Sequence, residues 1–160
     1  MKIVLQRVKQ AKVQIGQKIA GRIGKGYLLL VGFDRNDTVD FLRPMLDKIL
    51  KICLFPNETG RMVHSIADVS GSLLIVSQFT LSANVKKGKR PSFSRALEPE
   101  KAEKLYGRFL ALAKQSALQV ESGEFGAKMQ VFLQNDGPVT LLLDSKDLFP
   151  SLNGHTRRCD

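Results

Sequence analysis

A short apolar segment in the middle of the chain constrains the fold more than any other feature. Residues 73–76 are Leu-Leu-Ile-Val, preceded by a Ser-Gly turn at 70–71 and followed by Ser-Gln-Phe-Thr at 77–80. Four to eight apolar residues bounded by turn formers indicate a buried strand, so the polar side chains after it are expected at the end of a sheet. Polar tips also occur on ordinary strands, with the threonine a strand former and the glutamine solvated. Chemistry at this position therefore requires a second signal.

The second signal lies between residues 129 and 144. Apolar-rich segments at 129–133 and 139–143 flank the sequence Asn-Asp-Gly-Pro at 135–138. Turn residues between two apolar segments predict two strands joined by a tight turn. The local pattern thus predicts a hairpin that closes the fold.

Together, the two stretches resemble the D-aminoacyl-tRNA deacylase (D-tyrosyl-tRNA deacylase) family. The matching segments keep the family's order over residues 1–145: QRV at 6–8, DKIL at 47–50, VSQFTL at 76–81, KGKRPSFSRA at 87–96, FGAKMQV at 125–131 and NDGPVTLLLD at 135–144. VSQFTL combined with NDGPVT is far more specific than either motif alone.

The order of the predicted elements indicates the fold class. The remaining elements are predicted as strands at 2–8, 12–15, 18–22 and 27–33, a helix from 37 or 38 to 52, a strand at 51–55, an extended segment at 62–69, a helix from Pro99 to 117 and a strand at 119–121. Pro44 is expected to kink the first helix or to mark its effective start. Strands alternating with two helices predict an α+β domain with a largely antiparallel sheet. The resemblance implies a barrel-like rolled sheet, two outer helices and a homodimer.

Length and composition predict one domain without a cofactor. The chain has 160 residues, 43% of them hydrophobic, which suits a single core. We expect the domain at residues 1–145 and a polar C-terminal tail, poorly ordered or lightly docked, at 146–160.

Apolar runs are far shorter than the roughly 18 residues of a membrane span, and the start of the chain has a strand pattern, so a cytoplasmic protein is expected. Cys53 and Cys159 have no metal or redox spacing, and we predict no metal and no cofactor.

The charge favours a polyanionic partner. Lysine and arginine outnumber aspartate and glutamate by 25 to 15, giving a formal net charge of +10. Positive charge concentrates in one loop, where the predicted tRNA-binding residues are Lys86, Lys87, Lys89, Arg90 and Arg95. With Phe93 among them, this loop could contact phosphates and stack on a base, although a merely solvated loop would have the same composition.

The catalytic prediction depends on the polar strand tip and on the resemblance. The sequence has no HExxH, GxSxG or Walker motif, and its two histidines, His64 and His155, are assigned no role. Thr80 lacks an evident base. The resemblance implies hydrolysis of the ester bond of D-aminoacyl-tRNA and glycyl-tRNA, releasing the free amino acid and tRNA as a chiral proofreading step. In a substrate-assisted reaction the ribose hydroxyl could activate water while backbone donors hold the oxyanion. The predicted catalytic residues are Ser77, Gln78, Phe79 and Thr80.

The resemblance assigns substrate binding and chiral selection to a second set of residues: Gly137, Pro138, Arg7, Met129 and Asn135. It implies a cis Gly137–Pro138 bond that enters the partner subunit's pocket and excludes L-side chains, with active sites at the dimer interface. It also implies that Arg7 holds this turn by hydrogen bonds, whereas an arginine on a first strand is ordinarily outward and solvated. Met129 could line the pocket or belong to the core.

Two rival functions remain. One is a non-catalytic homologue of the same fold that binds RNA or DNA through the basic loop. The other is a sibling family of tRNA deacylases with relaxed chiral choice. Both motifs are intact in this chain, and this favours the chiral hydrolase.

Overall fold

The computed structural model describes residues 1–86 and 88–154 of the chain. The strands in these residues are β1 (Lys2–Ile15), β2 (Lys18–Ile23), β3 (Gly26–Gly32), β4 (Phe55–Pro56), β5 (Met62–His64), β6 (Ser72–Ser77), β7 (Gln119–Ser122) and β8 (Met129–Asp144). The helices are α1 (Leu42–Lys51), α2 (Pro99–Lys114) and the short α3 (Ser145–Leu148), with 3₁₀ helices at Val39–Phe41, Phe79–Ser82 and Pro150–Gly154. The α+β class is as predicted.

The main sheet is built around β1. The first half of β1 pairs with β3 and its second half with β2, while β8 runs antiparallel to nearly its whole length. β6 continues the sheet from β3 and β7 from β6, both in parallel. The two end strands approach each other closely, because a Cβ atom on Gly21 of β2 would lie 2.9 Å from the Ser122 oxygen of β7. The six-stranded sheet therefore forms a nearly closed barrel.

The two faces of β6 belong to two separate hydrophobic clusters. Leu73 and Ile75 pack with α1 and α2 on the outer face, whereas Leu74 and Val76 pack among the inner residues of the barrel. Tyr106 of α2 donates its O–H to the Ile75 carbonyl at 2.9 Å. Burying each of the four apolar side chains of β6 contributes about 1.5–3 kcal/mol to the free energy of unfolding. The double burial confirms the predicted buried strand, and α1 and α2 are the two expected outer helices.

The predicted C-terminal hairpin is wrong. Residues 129–144 form the single strand β8, which keeps one direction and pairs with β1 on both sides of the turn sequence. Gln6 pairs with Thr140 and Val8 with Asn135, so residues 136–139 bulge out opposite Arg7. The turn residues therefore produce a bulge rather than a chain reversal. The Gly137–Pro138 peptide within it is cis.

Several other boundaries differ from the prediction. β1 is one strand of 14 residues rather than two, and at 51–55 only Phe55 enters a strand, pairing with His64. Pro44 is the third residue of α1, where its missing N–H would have had no intrahelical acceptor, so the helix starts close to this proline. α2 begins at Pro99 as predicted and ends at Lys114.

The last residue of the predicted domain, directly before the predicted tail, is anchored to the start of the chain. Ser145 is fully buried, its N–H donates to the Met1 carbonyl at 2.8 Å, and its hydroxyl accepts from the Met1 amino group at 2.8 Å. His155 and Cys159 lie outside the described residues, and the tail's order stays a prediction. None of the helices described here is long and apolar enough to cross a bilayer.

Candidate active site

β6 ends at Ser77, and the chain continues through Gln78 into a one-turn 3₁₀ helix, Phe79–Ser82. We call the predicted catalytic residues, 77–80, the polar tip. The Gln78 N–H donates to the Val31 carbonyl of β3 at 2.7 Å, and the Leu81 N–H donates back to the Gln78 carbonyl at 3.3 Å. The N–H groups of Phe79 and Thr80 lie in the first turn, where no intrahelical acceptor precedes them. The turn that follows β6 thus has two backbone N–H groups without a helical acceptor.

Phe79 and Thr80, the first two residues of this turn, are exposed, and their side chains form no acid–base pair. Phe79 is 57% exposed, and Gln78 Nε2 donates to Thr80 Oγ at 2.5 Å. Within the described residues, Thr80 has no hydrogen bond to a histidine or a carboxylate, and no three His, Cys, Asp or Glu residues cluster as a metal site. The four predicted residues therefore form one contiguous group that can orient a substrate but contains no activated nucleophile.

A buried carboxylate anchors the far end of the turn. Ser82 Oγ donates to Asp34 Oδ1 at 2.6 Å, and Lys2 Nζ and Lys146 Nζ lie 2.9 and 3.4 Å from Asp34 Oδ2. Burial alone would raise the pKa of Asp34, but the hydrogen bonds from Lys2 and Ser82 and the charges of Lys2 and Lys146 outweigh it and lower the pKa to about 2. Asp34 is not among the site residues predicted from the sequence, although a carboxylate directly after an apolar strand is a usable signal.

The basic loop is closed at its base and exposed at its tip. Asn84 and Ser92 exchange two backbone hydrogen bonds of 2.7 and 3.0 Å. Of the predicted tRNA-binding residues, Lys86, Lys89, Arg90 and Arg95 are exposed, and Lys87 lies outside the described residues. Arg95 reaches within 3.9 Å of Asp34 Oδ2, so its position is tied to the anchor of the turn.

An aromatic pair links the basic loop to the polar tip. Phe93 of the loop meets Phe79 edge to face, with ring centroids 5.0 Å apart, and both rings remain partly exposed. Aromatic pairs of this kind are worth about 0.5–1.5 kcal/mol beyond their buried area. The loop and the 3₁₀ turn therefore form one continuous surface.

The Gly-Pro bulge is held from below by Arg7. The Arg7 Nε atom donates to the Asp136 carbonyl at 2.9 Å and lies 3.2 Å from Asp136 Oδ2, while Nη1 donates to the Leu54 carbonyl. Arg7 is only 7% exposed, so the expectation of an outward, solvated arginine is wrong. Its guanidinium ties the bulge to the segment before β4.

The bulge itself projects from the surface. Gly137 and Pro138 are exposed, and Asn135 Nδ2 donates to the Val139 carbonyl across the base of the bulge at 3.3 Å. Met129 lies elsewhere, packed on the inner cluster next to Gly123, whose N–H donates to the Ile75 carbonyl at 3.1 Å. Met129 is therefore nearer to the tip of β6 than to the bulge on its own strand.

The polar tip and the bulge are far apart within one chain. Ser77 pairs with Val31, Val31 with Ile3, and the bulge lies opposite Arg7, four residues further along β1. The path from β6 through β3 and β1 to β8 crosses three strand spacings, roughly 14 Å, and four residues along a strand add roughly 13 Å at right angles to it. The two sites are therefore roughly 15–20 Å apart. Apart from Met129, a single chain does not bring the second predicted set to the first.

Comparison with known proteins gives consistent matches over nearly the whole chain. The sequence profile of the family described as D-Tyr-tRNA(Tyr) deacylase matches residues 4–144. The chain is 49% identical to a D-aminoacyl-tRNA deacylase of Thermosipho africanus over 149 residues, covering 93% of this chain and 100% of the relative. It is 45% identical to the D-aminoacyl-tRNA deacylase of Aquifex aeolicus over 148 residues, covering 92% and 100%.

Two solved structures are similar as well. The c-Myc DNA Unwinding Element Binding Protein is 42% identical with a TM-score of 0.83, covering 90% of this chain and 98% of that one. A probable eukaryotic D-amino acid tRNA deacylase is 19% identical with a TM-score of 0.78, covering 89% and 97%, a likeness of fold alone.

Proposed function

The chain belongs to the D-Tyr-tRNA(Tyr) deacylase family, and from this premise we propose that it hydrolyses the ester bond of D-aminoacyl-tRNA and glycyl-tRNA as a chiral proofreading enzyme. The observation that carries the proposal is the 3₁₀ turn after β6, whose first two residues, Phe79 and Thr80, are exposed and have backbone N–H groups without a helical acceptor. Such a turn supplies what ester hydrolysis needs without a titratable nucleophile: fixed donors for a developing oxyanion.

The reaction is assisted by the substrate. The ester carbonyl lies against the Phe79 and Thr80 N–H groups, and the neighbouring ribose hydroxyl orients a water molecule for attack on the carbonyl carbon. The bond between that carbon and the ribose oxygen then breaks. The ribose oxygen takes one proton of the attacking water, the other passes to solvent, and the amino acid leaves as a carboxylate. Ser77 and Gln78 position the substrate. The Thr80 hydroxyl, held by Gln78, serves orientation rather than attack.

Chiral selection comes from the exposed bulge. Main-chain atoms of Gly137 and Pro138 occupy the space into which an L-side chain would project, and Arg7 and Asn135 keep them in place. Steric exclusion can exceed the roughly 1–3 kcal/mol available from a single methylene in a pocket. Glycine has no side chain to exclude, so glycyl-tRNA enters and is cleaved.

The complete site is shared between two copies of the chain. The separation of roughly 15–20 Å between the polar tip and the bulge supports this arrangement, because a second copy can bring its own bulge to the tip. Met129, at the start of β8, packs on the inner cluster next to β6 and then lines the pocket. We propose a homodimer with active sites at its interface, working in the cytoplasm without metal or cofactor.

The basic loop binds the tRNA backbone. Lys86, Lys89, Arg90 and Arg95 are exposed beside the reacting end, and Lys87 is assigned the same role from the sequence. Phe93, in contact with Phe79, is available to stack on a base near the ester.

The test is an assay of D-alanyl-, glycyl- and L-alanyl-tRNA with one enzyme preparation. We expect the D-alanyl and glycyl esters to be cleaved and the L-alanyl ester to survive. Cleavage of the L-ester at a rate comparable to that of the D-ester would contradict steric exclusion by the Gly-Pro bulge. Gel filtration with light scattering on the same sample checks the dimer.

A second candidate is nucleic-acid binding without catalysis. The net charge of +10 and the likeness to the c-Myc DNA Unwinding Element Binding Protein favour it. In that case the chain would bind duplex DNA tightly and leave all three esters intact. The same assay, paired with a DNA titration, therefore separates the two functions.

A further inference from the structure

A cleft of about 350 Å³ lies beside α2, and neither the predicted catalytic residues nor the Gly-Pro bulge line it. Its apolar lining residues are Leu97 and Leu105. Its charged lining residues are four cations, Arg35, Lys101, Lys104 and Arg108, and two carboxylates, Asp37 and Glu98. Residues 101, 104 and 108 share one side of α2 because they are spaced by three and four.

Most of the positive charge in this cleft is unpaired. Arg35, Lys104 and Arg108 are exposed, and within the described residues none of them forms an ion pair. Lys101 alone has a partner, Glu98, at 3.0 Å. The two carboxylates of the cleft are paired with other groups, Asp37 with the Met1 amino group and Glu98 with Lys101. The three remaining cations repel one another unless an anion lies among them, so the cleft is suited to a ligand with several negative charges.

The cleft adjoins the basic loop. The Arg35 N–H donates to the Arg95 carbonyl at 2.8 Å, and the Leu97 N–H donates to the Phe33 carbonyl at 3.0 Å, which fixes the end of the loop against the cleft. A basic path therefore runs from Phe93 beside the polar tip, through Arg95 and Arg35, to Arg108.

We infer that this cleft binds the phosphate backbone of the acceptor stem of tRNA, while the basic loop holds the single-stranded end. The inference rests on the proposed function for the identity of the RNA. The helical rise separates residues 101 and 108 by roughly 10 Å, enough to contact successive phosphates of one strand. Recognition through the backbone of an A-form helix is independent of sequence, which suits an enzyme that acts on many tRNAs.

The test compares two triple variants with the same loss of charge. The cleft variant carries Arg35→Ala, Lys104→Ala and Arg108→Ala. The control carries Lys48→Ala, Lys51→Ala and Lys114→Ala, three exposed lysines outside both the cleft and the basic loop. Each protein is titrated with an RNA minihelix that has an acceptor stem and a CCA end but carries no amino acid. The titration is repeated over a series of salt concentrations.

We expect the cleft variant to bind the minihelix at least roughly ten-fold more weakly, with a salt slope smaller by about two to three, and the control to change less than about two-fold. Hydrolysis of D-alanyl-adenosine, which has no stem, should stay within about two-fold of the parent in both variants. Equal minihelix affinities for the two variants would overturn the inference. So would tighter binding of the parent to a DNA duplex of the same sequence, lost in the cleft variant. If the parent hydrolyses no ester, the proposed function fails, and the minihelix titration still decides the role of the cleft.

Discussion

The 3₁₀ turn at the tip of β6 and the Gly-Pro bulge of β8 are two irregular segments on one sheet, and they are anchored by opposite charges. The first ends at Ser82, which is bound by the buried carboxylate of Asp34. The second begins at Asp136, which is bound by the buried guanidinium of Arg7. Each anchor lies beneath its segment, on a regular strand or directly after one.

This difference matches what each segment offers. The turn at Phe79 presents backbone N–H donors, whereas the bulge contains a proline, which has no N–H to donate. A buried carboxylate is the partner for the hydroxyl and the lysines near the first segment, and a guanidinium is the partner for the carbonyls of the second. Because such buried charges are costly to leave unpaired, both irregular segments are held firmly even though their tips are exposed.

The largest expected effect comes from removing the cationic anchor. Arg7→Ala leaves the Leu54 and Asp136 carbonyls without their donor, and we expect the free energy of unfolding to fall by about 3 kcal/mol. The bulge should also loosen, so the ratio of L-alanyl to D-alanyl ester hydrolysis should rise. Arg7→Lys is the matched control, because it keeps the charge but loses the forked geometry. Denaturant unfolding measures the stability, and hydrolysis of the L-alanyl and D-alanyl esters of tRNA measures the chiral selectivity. An unchanged selectivity in a folded Arg7→Ala protein would contradict the anchoring role.

Removing the anionic anchor should have the next largest effect. Asp34→Asn keeps the shape but loses the charge that holds Lys2 and Lys146, and we expect a loss of about 2 kcal/mol of stability at neutral pH. In the parent, the lowered pKa means that this stabilisation is complete above the ordinary value of 3.8 and is lost as the pH falls toward about 2. Unfolding followed across this acid range should show a steeper loss in the parent than in Asp34→Asn. Parallel curves would contradict the assignment.

A smaller effect is expected from the basic loop. Changing Lys86, Lys89 and Arg90 together to alanine should raise KM for D-aminoacyl-tRNA roughly ten-fold and flatten its salt dependence, because each lost phosphate contact removes about 0.7 of slope or more. Turnover should stay largely intact. This variant changes only exposed residues and leaves the Asp34 and Arg7 anchors in place. An unchanged KM and salt slope would refute the tRNA-binding role of the loop but would say nothing against the two anchors.

The smallest effect is expected at the tip itself. Thr80→Ala removes only the acceptor of the Gln78 amide, and kcat should fall by less than roughly ten-fold, because the backbone donors remain. A nucleophile would cost several orders of magnitude. Thr80→Ser restores the hydroxyl and should recover the difference. An inactive but folded alanine variant that still binds tRNA would show that the substrate-assisted mechanism is wrong.

The sequence by itself determined the features that depend on neighbouring residues. The apolar run at 73–76 with turn formers before it predicted β6 and its polar tip, and Pro99 with the acidic residues around it predicted the start of α2. These signals are local because burial of a strand and the first turn of a helix depend on residues a few positions apart. The two motifs together also indicated the family.

Only the tertiary structure decided the features whose partners are distant in the chain. The sequence Asn-Asp-Gly-Pro indicates a bend, but whether the chain reverses depends on the edge of β1, which pairs with β8 on both sides of the bulge. Arg7 on a first strand looks solvated until Leu54 and Asp136 are placed against it. Asp34 directly follows an apolar strand, but nothing near it in the sequence shows what binds it, because Lys2, Ser82 and Lys146 reach it from three other parts of the chain. The physical reason is that a hydrogen bond or ion pair depends on distance in space, which a linear sequence does not specify for residues far apart.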